Sequence, residues 1–207
     1  MSIFERMKYF LLIITSLLSI YLYGQTYNEC IKKAYAQYQA GAYIKALEDY
    51  NKAIALNPKS DTTYVKRGLC KFVLKNYDSA IVDYNKAIAL NLMNETAYKN
   101  RGDANAELKN FVGAKFDYTK AIELNPKYIK AYINRGRLKH NNLRDQLGAI
   151  ADYNKVIELD PKYAGAYYLR GNAKRNLKDI DGACMDWNKS VELGGKDDQG
   201  QINKYCK

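Results

Sequence analysis

One ten-residue phrase occurs three times at intervals of 34: YNKAIALNPK at 50–59, YNKAIALNLM at 84–93 and YTKAIELNPK at 118–127. A fixed period of this length demands a repeat architecture before any other fold is considered. Counting back from Pro58, Pro126 and Pro161 divides the chain into units at 27–60, 61–94, 95–128, 129–163 and 164–197, with one residue inserted in the fourth. In the second unit Ala80, Ile81, Tyr84, Ala87 and Ile88 recur at i, i+1, i+4, i+7 and i+8, which draws one apolar stripe along a helix. A first helix is expected before it, from about Asp61 to Leu74. Asn76, Asn110 and Asp179 stand between the paired helices, where a short polar side chain can cap the next N-terminus. The prolines are expected to stop the second helix, since proline donates no backbone hydrogen bond. Each unit is therefore a helical hairpin.

A single hairpin cannot bury its apolar stripes, so neighbours must stack and share a continuous core as a solenoid. Small residues mark the closest approaches: Ala34, Gly68, Gly102, Gly136 and Gly171 on the first helices, and Ala46, Ala80, Ala114, Ala149 and Ala183 on the second. Tyr50, Tyr84, Tyr118, Tyr153 and Trp187 supply the complementary bulk, so the abundance of tyrosine is a packing property. Arg67, Arg101, Arg135 and Arg170 precede the tight glycines, and Asp49, Asp83, Asp117, Asp152 and Asp186 precede the second-helix aromatics. This register predicts an Arg–Asp ladder within or between adjacent units, each arginine packing its stem and binding carboxylate with its fork.

The chain resembles the tetratricopeptide repeat (TPR) family. That pattern of aromatic, Gly or Ala, Ala, aromatic, Ala and Pro is carried in the third unit by Tyr98, Gly102, Ala114, Tyr118, Ala121 and Pro126. Leu92 and Gly195 depart from it at the proline position, and Val156 and Ser190 at the small-residue position. The resemblance implies an all-α, right-handed α-solenoid of five helix-turn-helix repeats. Terminal repeats need a polar cover, so residues 198–207 are expected to form a short C-terminal capping helix on the fifth unit.

No constellation for catalysis stands out, and neither a cofactor nor a metal is expected. The single histidine, His140, has no suitably spaced partner, and the glycines follow the repeat instead of grouping into a phosphate loop.

The first residues, MSIFERMKYFLLIITSLLSIYLYGQ, place Arg6 and Lys8 before an apolar run from Tyr9 to about Tyr23. This reads as a signal peptide over 1–24, leaving a repeat domain at 25–207 in the periplasm, the cell envelope or secreted. The alternative is a retained anchor, although the run falls short of the roughly 20 residues a spanning helix needs. Removing 1–24 takes away Arg6, Lys8 and Glu5 and lowers the formal charge from +11 to +10. The surplus favours an anionic partner. Because the lysines are distributed through the repeats, it does not point to nucleic acid.

Export admits disulfides. Cys30 and Cys70 fall on buried or half-buried repeat positions, whereas Cys184 and Cys206 bracket the C-terminal end. A cap packed on the fifth unit would let that second pair approach and bridge; the alternative is two buried thiols.

The resemblance also implies that the first helices line a concave groove for a peptide or protein segment. Equivalent repeat positions supply Ile31, Tyr35, Tyr38, Val65, Leu69 and Phe72 from the early units, and Lys99, Asn100, Asp103, Lys130, Asn134, Arg137, Tyr168, Asn172 and Arg175 from the later ones. An apolar end and a basic end suit a segment with an apolar anchor and carboxylates. The family's clamp for an acidic C-terminus is matched by Lys99 and Asn134 only; Asp103, Gly165 and Leu169 stand where an amide or basic group is wanted. The expectation is a non-catalytic scaffold or adaptor, the alternative a self-associating envelope protein whose early apolar residues are covered in a homo-oligomer.

Overall fold

The computed structural model describes the backbone of residues 3–197 and 200–206; before Thr26 it describes the side chains of Glu5, Met7, Lys8, Phe10 and Ile13. Most of the apolar run of the expected signal peptide therefore lies outside the described side chains, as do 198, 199 and 207 of the expected cap. All regular elements among the described residues are helices, and they divide into two compact units, Met1–Leu92 and Met93–Lys207.

The first unit holds α1 (Ile3–Gln39), α2 (Tyr43–Leu56), α3 (Asp61–Val73) and α4 (Tyr77–Leu90). Helix α1 is continuous through Gly24, so the N-terminal segment and the first helix of the first repeat are one element. Among the described residues no helix is long and apolar enough to cross a membrane. Helices α1 and α2 pair as a hairpin, as do α3 and α4, and α2 packs on α3. The second unit holds α5 (Glu95–Glu107), α6 (Phe111–Leu124), α7 (Ile129–Asn141), α8 (Gln146–Leu159), α9 (Ala164–Asn176), α10 (Ile180–Glu192) and α11 (Gln201–Tyr205). It contains three hairpins, with α6 on α7, α8 on α9 and α11 closing on α10. The cap helix is thus confined to 201–205 within the expected 198–207.

The boundaries follow from local chemistry, and two expectations are corrected. Asn110 and Asp179 cap as expected, accepting from the amides of Gly113 and Gly182, but Asn76 makes no such bond. Ser60, Asn94 and Asp145 also cap, at the starts of α3, α5 and α8. The second helices stop just before Pro58, Pro126 and Pro161, but a proline is not required to end them. Helix α4, followed by Leu92, stops one residue before Asn91, which is as extended as Asn125 and Asp160 before their prolines. The Oδ1 atoms of Asn57, Asn125 and Asp160 accept from the amides of Lys59, Lys127 and Lys162, and Asn91 Nδ2 donates to Asp61. Side-chain bonding of this kind competes with the helix, and the prolines reinforce a turn that the Asx residue already makes. Between the paired helices the chain enters the left-handed region at Gly41, Lys75, Lys109, Arg144 and Lys178. There the amides of Asn76 and Asn110 return to the carbonyls of Lys71 and Asn105, closing the preceding helix.

Each hairpin after the first is locked by an aromatic against a glycine. A methyl built on Gly136 would meet Tyr153 Cε1 at 2.6 Å, and one on Gly171 would meet Trp187 Nε1 at 2.7 Å. Both rings are fully buried, so neither can yield. The ladder forms within hairpins. Asp83, Asp117, Asp152 and Asp186 each receive Nε and Nη2 of Arg67, Arg101, Arg135 and Arg170, the Nη2 contacts spanning 2.5–2.6 Å. The remaining Nη1 of Arg67, Arg135 and Arg170 reaches back to Asn51, Thr119 and Asn154 of the preceding repeat. Each of these arginines also lies over its own unit's tyrosine, as Arg67 does over Tyr64 at 5.4 Å. In the first repeat Lys33 and Lys52 replace the arginine at Asp49.

Candidate docking faces on the first helices

In the first unit the apolar set separates into core and surface. Val65 is buried, and Ile31 and Tyr38 pack on the core cluster of Ala34, Ala46, Tyr50 and Cys70. Tyr38 and Phe72 each meet the first aromatic of the following helix edge-on, Tyr43 and Tyr77, at 5.3 Å. Their position is therefore largely a packing position of the hairpin, with Leu69 half-buried beside it. Tyr35 remains 51% exposed, with Lys66 Nζ 5.8 Å from its ring centre.

In the second unit four residues form one cluster. Asp103 on α5 accepts from Tyr118 Oη of α6 at 2.9 Å and from Asn134 Nδ2 of α7 at 2.8 Å on one oxygen, while Lys99 Nζ pairs with the other at 2.9 Å. Burial, then the Asp103 charge and hydrogen bond, hold the Tyr118 hydroxyl protonated far above the usual phenol range, so it is a fixed donor. Gly165 and Leu169 bring no donor to this cluster. Asn100 is buried within α5, and its Nδ2 finds no hydrogen-bond partner among the described residues.

Lys130 and Arg137 are exposed on α7, two turns apart. Burial pushes the Tyr153 hydroxyl above its usual range, with the Arg137 charge opposing. On α9 Tyr168 is half-buried, whereas two expected groove residues are engaged inside the chain. Asn172 Oδ1 accepts from Trp187 Nε1 at 3.1 Å, and Arg175 Nη1 donates to Gln201 Oε1 at 2.8 Å while its guanidinium lies 5.8 Å from the Tyr205 ring. Helix α11 thus takes the Arg175 fork that the sequence pattern offers to a ligand. The cap is tied down by the Cys184–Cys206 disulfide, with Cα atoms 5.6 Å apart, and Tyr205 packs on Trp187. Cys30 and Cys70 are free thiols. His140 bonds Gln146 across the insertion. Among the described residues no group of His, Cys, Asp and Glu could hold a metal ion.

Comparison with known proteins bears on these faces. The model described as TPR repeat matches residues 34–72 and 146–177, and models described as tetratricopeptide repeat match 62–92 and 96–128, together more than half of the chain. No curated protein matches the sequence. Among solved structures the chain is similar to MamA, at 24% identity and TM-score 0.72, over 89% of this chain and 97% of that one. It is also similar to YrrB, described as a TPR protein with an unusual peptide-binding site, at 22% identity and TM-score 0.68, over 84% and 89%. The first TPR of Spaghetti (RPAP3), solved with the HSP90 peptide SRMEEVD bound, matches at 28% identity and TM-score 0.55, over 56% and 92%. With helical hairpins recurring at the period read from the sequence, and with these models matching more than half of the chain, the chain belongs to the tetratricopeptide repeat family.

Proposed function

We propose that the protein is a non-catalytic scaffold or adaptor that docks a protein or peptide segment on its first-helix faces. The observation that carries this reading is the pair Lys130 and Arg137, exposed on α7 and in no ion pair with a described residue. They offer cations to an acidic segment, in a chain with a formal charge of +11. That the first TPR of Spaghetti binds a peptide supports a peptide-docking role. Tyr35 in the first unit is an aromatic anchor for an apolar side chain.

The working compartment in this reading is the cell envelope or the exterior. The basic-then-apolar N-terminus supports cleavage near Gly24, and the Cys184–Cys206 bridge suits an oxidising compartment. The test is a pull-down from envelope extract with residues 25–207 beside a Lys130→Glu/Arg137→Glu variant. A partner captured by the native chain and lost in the variant is the expected result; a partner retained by the variant rejects the α7 face.

Self-association is the second reading, and exposed apolar side chains on the second helices favour it. Val112 and Phe116, 80% and 63% exposed, share one face of α6, and Leu147 on α8 is 71% exposed. A mass that stays monomeric at high concentration removes it.

A further inference from the structure

Asp103 sits at the meeting point of three donors brought by three helices. Tyr118 and Asn134 reach one carboxylate oxygen and Lys99 the other, all within 2.9 Å. The carboxylate and the ammonium keep 22% and 16% of their side-chain surface, so the cluster lies at the edge of the core and solvent reaches it. All three contacting groups donate to Asp103: the lysine ammonium through an N–H, the asparagine through its NH2, and the tyrosine hydroxyl, held protonated, through its one proton. A cation and two neutral donors converging on one point form an anion site. The anion in it belongs to the chain.

We infer that Asp103 is a built-in carboxylate that fills this site and sets the specificity of the α5–α7 face. A docking carboxylate finds these donors already turned onto Asp103 and meets a like charge. A carboxylate offers about four acceptor positions, and three of those on Asp103 are used. The fourth position is unused and the side chain keeps 22% of its surface, so the group that fits here is an N–H donor of the docked segment. Its acidic groups are left to Lys130 and Arg137, outside the cluster. The assignment rests on the first helices being the docking face.

Asp103→Asn is the diagnostic change, because the amide oxygen still accepts from Tyr118 and Asn134 while the charge that neutralises Lys99 disappears. The probe is the synthetic peptide SRMEEVD, made with a free C-terminal carboxylate and as the C-terminal amide, and titrated calorimetrically at low salt. The native chain is expected to bind the two forms within about twofold of each other, and the variant to prefer the free acid at least about tenfold, the scale of a charge-assisted bond. Lys99→Met in the variant background should abolish that preference. Asp103→Ser serves the same purpose if the asparagine variant does not fold. A native chain that already prefers the free acid tenfold, and loses the preference with Lys99→Met, overturns the assignment, and so does a folded variant that gains none. If the pull-down fails while Asp103→Asn gains the preference, the filled anion site stands and the natural partner docks elsewhere; the converse removes Asp103 alone.

Discussion

Asp117 and Asp152 occupy equivalent ladder positions in the second unit but hold different charges. Asp152 receives Arg135 through two nitrogens and Lys139 at 2.9 Å, whereas Asp117 receives Arg101 through two nitrogens and the neutral amide of Asn105 at 2.9 Å. Both carboxylates are buried, and each cation keeps a fifth or less of its side-chain surface. Replacing either aspartate by asparagine keeps its shape and strands the cations. At an effective dielectric of about 20, an ion pair with charge centres about 4 Å apart is worth about 4 kcal/mol. Breaking a buried pair from one side costs about 3–5 kcal/mol, so Asp117→Asn should cost about 3 kcal/mol. Asp152→Asn also loses the attraction of a second cation, Lys139, worth about 4 kcal/mol at a separation near 4 Å in the same dielectric. Solvent at the outer face of the cation screens part of this, which leaves an extra cost of about 1–2 kcal/mol. Urea unfolding followed by circular dichroism measures both variants. Lys139→Met placed in the Asp152→Asn background should recover at least about 1 kcal/mol, because it removes one stranded charge. Equal losses for the two aspartates, with no recovery, would refute the claim that the second cation matters.

Two further outcomes follow from the cysteines. The Cys184–Cys206 bridge closes a separation of 22 residues, for which chain entropy predicts about 3 kcal/mol. Cys184→Ser should therefore loosen the cap, with a red shift of fluorescence from Trp187, on which Tyr205 packs; a loss below about 1 kcal/mol would show that the cap holds without it. Burial pushes the Cys70 thiol up to about 11, whereas an unfolded thiol titrates near about 8.5. Between those values the unfolded chain has released the proton and the folded chain retains it. Stability is then full below the lower value and falls as pH rises towards the upper one. Cys70→Ala should flatten that fall, and an unchanged pH profile would rule the thiol out as its source.

A good part of this was legible in the residues. The 34-residue period, the apolar stripes and the alternation of glycine with aromatic specify paired helices that stack on their neighbours, because such packing depends on side-chain size at fixed intervals. The Arg–Asp register was readable for the same reason: Arg135 and Asp152 face each other once the hairpin closes. Other features had weaker signals. The left-handed lysines at 75, 109 and 178 look like ordinary turn residues, and the helix-ending role of Asn91 shows only where the proline is missing.

Which donors remain open to a partner was decided by the tertiary structure. The pattern placed Lys99, Asp103 and Asn134 on one face but could not say that they would satisfy one another, because that depends on helix spacing and rotamers to within an ångström. Arg175 carries the same sequence signal as a free groove cation, yet α11 folds back and binds it. Periodic local choices determine the scaffold, whereas the chemistry left exposed on it depends on contacts between residues far apart in sequence, which only the assembled helices define.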